Sequence, residues 1–147
     1  MIDVLKSLFR PSPAAREVAP ELAVAVLLVE AARADGAYGD ADRHAVDALL
    51  AEMFDLTAPA SLRLQAEAAQ EEAADLVRFT RVVKTGLEHE QRVALIEALW
   101  RVVLVDHHRD PHEDALLRHL APLLGLDDRE SARARQRVQA QIEQGQA

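Results

Sequence analysis

Two groups of carboxylates are the side chains here best placed by type and spacing to do chemistry. The first is Asp35, Asp40 and Asp42, around the loop GAYG. The second is Asp106, Asp110 and Glu113, around the loop HHR. Asp35 and Asp106 each follow a long apolar run, so each is expected at a helix C-terminus, where the partial negative charge makes an anion unfavourable. Asp40, Asp42, Asp110 and Glu113 open the following helices, where acids are favourable. A tight bend brings each set together. Two carboxylates about 4 Å apart repel by roughly 4 kcal/mol at an effective dielectric of 20, and a bound cation relieves that. Oxygen donors suit Ca²⁺, Mg²⁺ or Mn²⁺. These six acids are therefore candidate ligands for a divalent cation.

The same residues have a plainer use. Asp40, Asp110 and Glu113 serve equally as helix caps, and Asp35 and Asp106 as turn formers that accept nearby backbone amides. The pattern is not an EF-hand, because the twelfth position from Asp106 is Leu117, where a glutamate is required. His107, His108, His112 and His119 crowd the second bend, and with Asp106 they could hold a transition metal. His108 lies in the loop, however, so helical spacing does not unite them, and solvated histidines are the simpler reading. A metal-dependent hydrolase using the same carboxylates, with His108 or His112 as base, needs a pocket joining the two bends. The chain has no HExxH, no serine in a triad context and no glycine-rich phosphate loop.

The elements that position these residues are helices. Residues 20–34 carry only Glu21, Glu30 and Arg33 as charges, which marks a central helix. Residues 41–54 follow with Asp40 as N-cap and Val46, Leu49, Leu50, Met53 and Phe54 as an inner stripe. Thr57 is expected to cap an Ala- and Glu-rich surface helix with Pro59 in its first turn. A helix over 76–85 ends at Gly86, and one over 90–105 carries Trp100 as a core anchor. Asp110-Pro111-His112-Glu113 is a capping box with Pro at the first position, and its helix stops at Gly125. A second capping box, Asp127 to Glu130, opens a last helix whose Arg129, Arg133, Arg135 and Arg137 read as a solvated face with intrahelical pairing.

The fifth helix repeats the first. With an offset of 71, Val24, Leu28, Ala31, Ala32 and Asp35 fall on Leu95, Leu99, Val102, Val103 and Asp106. Beyond the loop the offset is 70, and Asp40, Val46, Leu50, Met53, Phe54 and Leu56 fall on Asp110, Leu116, Leu120, Leu123, Leu124 and Leu126. Two repeat units, about 20–57 and 91–127, are expected to pack about a pseudo-two-fold axis, first helix against fifth. Glu30 falls on Arg101, and the two are expected to pair across that axis.

The expected fold class is all-α: a single-domain helical bundle of about seven or eight helices over residues 20–147. Residues 1–19 precede it as an amphipathic segment and Pro-rich linker. The length of 147 residues fits one domain, and the abundance of Ala, Leu, Glu and Arg with few aromatics favours helix. The net charge of −8 disfavours nucleic acid. The absence of cysteine excludes disulfides, thiolate metal sites and thiol nucleophiles. Apolar runs fall far short of the ~20 residues that span a bilayer, and no signal peptide is evident, so a cytoplasmic protein is expected. Membrane contact is open only to residues 1–10, where Ile2, Leu5, Leu8 and Phe9 share a helical face. Docking on the domain itself is the plainer role for them.

At its two bends the chain resembles the TerB family of tellurite resistance proteins. The matching residues are LLVEAARADG (Leu27–Gly36) with Asp40 and Asp42, then LIEALWRVVLVD (Leu95–Asp106) with Asp110 and Glu113, and LLGL (Leu123–Leu126). The resemblance covers about residues 20–140. It implies an all-helical fold with an internal duplication, acidic residues that bind divalent metal, and links to stress response and membrane-associated complexes. Those acids fall here on Asp35, Asp42, Asp106 and Glu113. The sequence departs where His107 replaces the usual glycine after the second aspartate. The expected role is a non-enzymatic module that binds a protein partner, with or without a cation.

Overall fold

The computed structural model describes residues 18–105 and 111–145. Seven helices occupy them: α1 (Pro20–Arg33), α2 (Asp40–Phe54), α3 (Pro59–Glu72), α4 (Val77–Gly86), α5 (His89–Val105), α6 (Pro111–Leu123) and α7 (Asp128–Glu143), with no strand among the described residues. The all-α expectation holds. Residues 1–17, 106–110 and 146–147 lie outside the described residues, and with them the expectations for Ile2, Leu5, Leu8, Phe9, Asp106, His107, His108 and Asp110.

Helix α1 is the hub. Pro20 opens it at a position where a missing N–H costs nothing, and every residue from Ala23 to Val29 is fully buried. It packs against α2, α3, α4, α5 and α6. Around it lie Leu50 of α2, Phe79 and Val83 of α4, Leu95, Ile96 and Leu99 of α5, and Leu117 and Leu120 of α6. Each such side chain contributes roughly 1.5–3 kcal/mol by leaving water. Helix α3 lies on the surface, with only Ala66 fully covered, and Trp100 is a core residue at 4% exposure.

The 71-residue offset reaches further than the two hairpins. The most extensive packing of α1 is against α3, and that of α5 is against α7. Between α1 and α3, Gln70 donates from Nε2 to Glu30 at 2.5 Å. Between α5 and α7, Arg101 donates to the Gln141 amide oxygen. Gln70 and Gln141 are themselves 71 apart. Each unit therefore has a third helix on its central one, and Glu30 and Arg101 do not pair with each other. The expected pairing fails because each side chain meets a glutamine of its own unit first. Helices α1 and α5 do touch.

The ends of α2 and α6 close alike, now with offset 70. The Leu56 N–H reaches the Ala51 carbonyl at 3.3 Å, and the Leu126 N–H reaches the Ala121 carbonyl at 2.9 Å. Both closures need a left-handed residue at the turn. It is Asp55 at φ 52° in the first unit and Gly125 at φ 77° in the second. Two caps differ from expectation. Gly39, not Asp40, occupies the cap position of α2. Ala58, not Thr57, precedes Pro59 at the start of α3. The Asp127–Glu130 box forms as expected, with the Glu130 N–H on Asp127 at 2.8 Å.

Candidate functional site

At the first bend the three acids are held locally. The Ala37 N–H donates to Asp35 Oδ1 at 2.9 Å, closing the turn that follows α1. The Gly39 N–H donates to Asp42 Oδ2 at 2.9 Å, so Asp42 rather than Asp40 supplies the cap. Asp40, whose side chain is 92% exposed, pairs with Arg43 at 3.2 Å. Asp35 and Asp42 thus each have one oxygen on a backbone amide. No group of three or more His, Asp or Glu side chains among the described residues converges as a metal ion requires. Each of the three acids of the first bend thus has a local partner.

A polar network that the sequence reading passed over lies behind this bend. Tyr38, in the loop between α1 and α2, donates its hydroxyl to Glu67 of α3 at 2.5 Å. The guanidinium groups of Arg33 and Arg43 lie over its ring at 4.6 and 4.8 Å from the centroid. Arg63 donates to Asp47 at 2.7 Å and to Glu67 at 3.1 Å. Arg33 donates to the amide oxygen of Gln70 and pairs with Glu71 at 3.1 Å. The network ties α1, α2 and α3 together through groups that would be costly if left unsatisfied.

The electrostatics follow from that geometry. Burial pushes the Tyr38 hydroxyl well above its ordinary range, and the hydrogen bond to the Glu67 carboxylate adds to it. Burial alone would raise Glu67, but the Tyr38 hydroxyl and the Arg63 guanidinium outweigh it and hold Glu67 below the usual glutamate value. Arg63, hydrogen-bonded to Asp47, is held firmly cationic. None of these groups is poised to exchange a proton near neutrality. One signal was readable in advance: Arg63 and Glu67 stand four apart on one helix face. Nothing in the spacing of Asp47 or Tyr38 betrayed their part.

At the second bend, Glu113 lies in the first turn of α6 and is buried at 5% exposure. Its expected companions Asp106 and Asp110 are outside the described residues. His112 and His119 are exposed on α6. The arginines of α7 are not one solvated face. Arg129 and Arg133 are exposed, Arg137 pairs with Glu97 of α5 at 2.6 Å, and Arg135 lies over the Trp100 ring. The pairing is between helices, not within one.

Two of the open grooves on the surface bear on these residues. One, about 620 Å³, lies by the network and is lined by Glu30, Arg33, Tyr38, Gln70, Glu71 and Asp75 among others. The other, about 650 Å³, runs along α5, α6 and α7. No helix of the described residues is long and apolar enough to cross a membrane. The family described as "Tellurite resistance protein TerB" matches residues 21–136. No curated protein and no solved structure matches the chain.

Proposed function

The chain belongs to the TerB family, and from that premise we propose that it is a non-enzymatic, partner-binding helical module working in a stress-response setting. The observation that carries this reading is the network at the first bend. Its charged groups close on one another and stiffen three helices, as a scaffold requires, and none stands poised around an enclosed pocket as acid–base catalysis requires. The stress setting rests on the family's description alone.

The cation part of the reading rests on the second bend. Glu113 is a hard oxygen donor, and Asp106 and Asp110 are close to it in sequence. Calorimetric titration of the whole chain with Ca²⁺, Mg²⁺ and Mn²⁺ tests it. Binding heat that survives Asp35→Ala and disappears with Asp106→Ala is the expected result. A flat titration of the wild type would leave a metal-free scaffold. Turnover of simple phosphoesters that Asp106→Ala abolishes would overturn the non-enzymatic part.

A further inference from the structure

The groove along α5, α6 and α7 holds an arginine that differs from the other half-buried arginines among the described residues. Its lining includes Trp100, Arg118, Asp128, Ser131, Arg135 and Gln139. Trp100 is fixed in orientation by the hydrogen bond from its indole N–H to Ser131 Oγ, 3.2 Å. The Arg135 guanidinium lies over that ring, 5.2 Å from its centroid. Arg135 Nε is fully buried and meets no acceptor. Arg33, Arg63 and Arg101 each donate to a carboxylate or amide oxygen, and Arg92, whose Nε is orphaned as well, donates from Nη1 to the Leu124 carbonyl at 2.9 Å. In a chain with 25 acidic and 17 basic residues, acids were available to pair with Arg135. None among the described residues does. Arg118, exposed on α6, lines the same groove.

A guanidinium stacked on an indole is weakly hydrated and already oriented, and its planar fork matches a carboxylate in two parallel hydrogen bonds. We propose that this groove binds an acidic segment of a partner protein, with one carboxylate of the segment forked on Arg135 and a second drawn by Arg118. The inference rests on the partner-binding reading above and adds to it a surface and a chemistry. A peptide fits better than a nucleic acid. Asp128 lines the groove, and the net charge of −8 repels a continuous phosphate backbone. One or two carboxylates facing two arginines meet far less of that repulsion.

Trp100 is the one tryptophan in the chain, so its emission reports on this groove. The full chain is titrated with a blocked hexaglutamate peptide, with hexalysine, inorganic phosphate and a single-stranded oligothymidylate as comparisons. A saturable change with hexaglutamate is expected, weakened by added salt. It falls at least ~10-fold in affinity with Arg135→Gln, less with Arg135→Lys, and severalfold with Arg118→Gln. Arg118 is exposed, so its variant keeps the test decisive should Arg135→Gln fold poorly. No change at millimolar peptide overturns the proposal. So does unchanged affinity in both glutamine variants, or phosphate or oligonucleotide binding as tightly as peptide. Capturing partners with tagged wild type and with the Arg118→Gln/Arg135→Gln variant separates the two readings. A partner held equally by both keeps the module and removes the groove, and no partner for either removes both.

Discussion

The two units are built from matching helices, yet corresponding positions carry opposite chemistry. In the first unit, positions 26 and 66 are valine and alanine, both fully buried. Their counterparts 71 residues on are Glu97 and Arg137, which form an ion pair with side chains 29% and 49% exposed. Position 30 is a glutamate on a glutamine, and its counterpart is an arginine on a glutamine. The left-handed turn is an aspartate in one unit and a glycine in the other. The difference teaches that like helix contacts and turn closures can go with unlike burial. Helix α1 is packed on by five other helices, including α4, which sits against α1 and α6. Helix α5 instead keeps one flank where charged pairs with α7 stay hydrated.

Exchanging residues between the units tests this reading most severely. Val26→Glu places a carboxylate where no water reaches, and a loss of about 4 kcal/mol or more is expected. The reciprocal Glu97→Val removes a partly hydrated pair and changes stability by no more than about 1 kcal/mol. Urea unfolding of both variants measures the contrast. Similar losses at the two sites would show that the units are equivalent after all.

The next effect concerns the network of the first unit. Tyr38→Phe keeps the ring under Arg33 and Arg43 and deletes the hydroxyl on Glu67. A loss of about 1.5–3 kcal/mol is expected, the range for a hydrogen bond to a charged group. Its pH dependence has a definite sign. Glu67 is lowered in the folded state from an ordinary 4.5, so its contribution is present above that value and fades as pH falls through the lowered one. Tyr38 is raised from an ordinary 10.0, so its contribution is present below pH 10.0 and fades as pH rises through the raised value. The gap between wild type and Tyr38→Phe in thermal melts is therefore flat between these limits and narrows outside them. A gap that widens on acidification would contradict the assignment.

The smallest effect lies at the turns. An alanine Cβ at Gly125 would sit 2.5 Å from Arg92 Nη1 at φ +77°. Gly125→Ala thus adds left-handed strain and disturbs the arginine that caps α6, costing about 1–2 kcal/mol. The matching Asp55→Gly relieves strain and is expected to gain up to about 1 kcal/mol. Chemical denaturation of the pair shows whether the two turns are one structural position.

Much of the architecture was legible because its causes are local. The period of apolar residues marked the helices, Pro59 and Pro111 marked two starts, and Asp127 with Glu130 marked a third. Asp35 and Asp42 were legible as polar residues at a bend but not as to use, since a ligand and a cap look alike until the amide is found. The folded bend puts Ala37 N–H and Gly39 N–H on them.

By itself, the sequence determined that the chain is helical, that like residues fall 71 apart, and which acids stand at the bends. These depend on neighbours within a turn or two of helix, or on direct comparison of like segments. Tertiary structure alone decided that Glu30 and Arg101 part company, that Tyr38 joins Glu67, and that Arg135 rests on Trp100. Those pairings join residues about 30 to 40 positions apart, and only the packing of third helices onto first ones brings them within bonding distance.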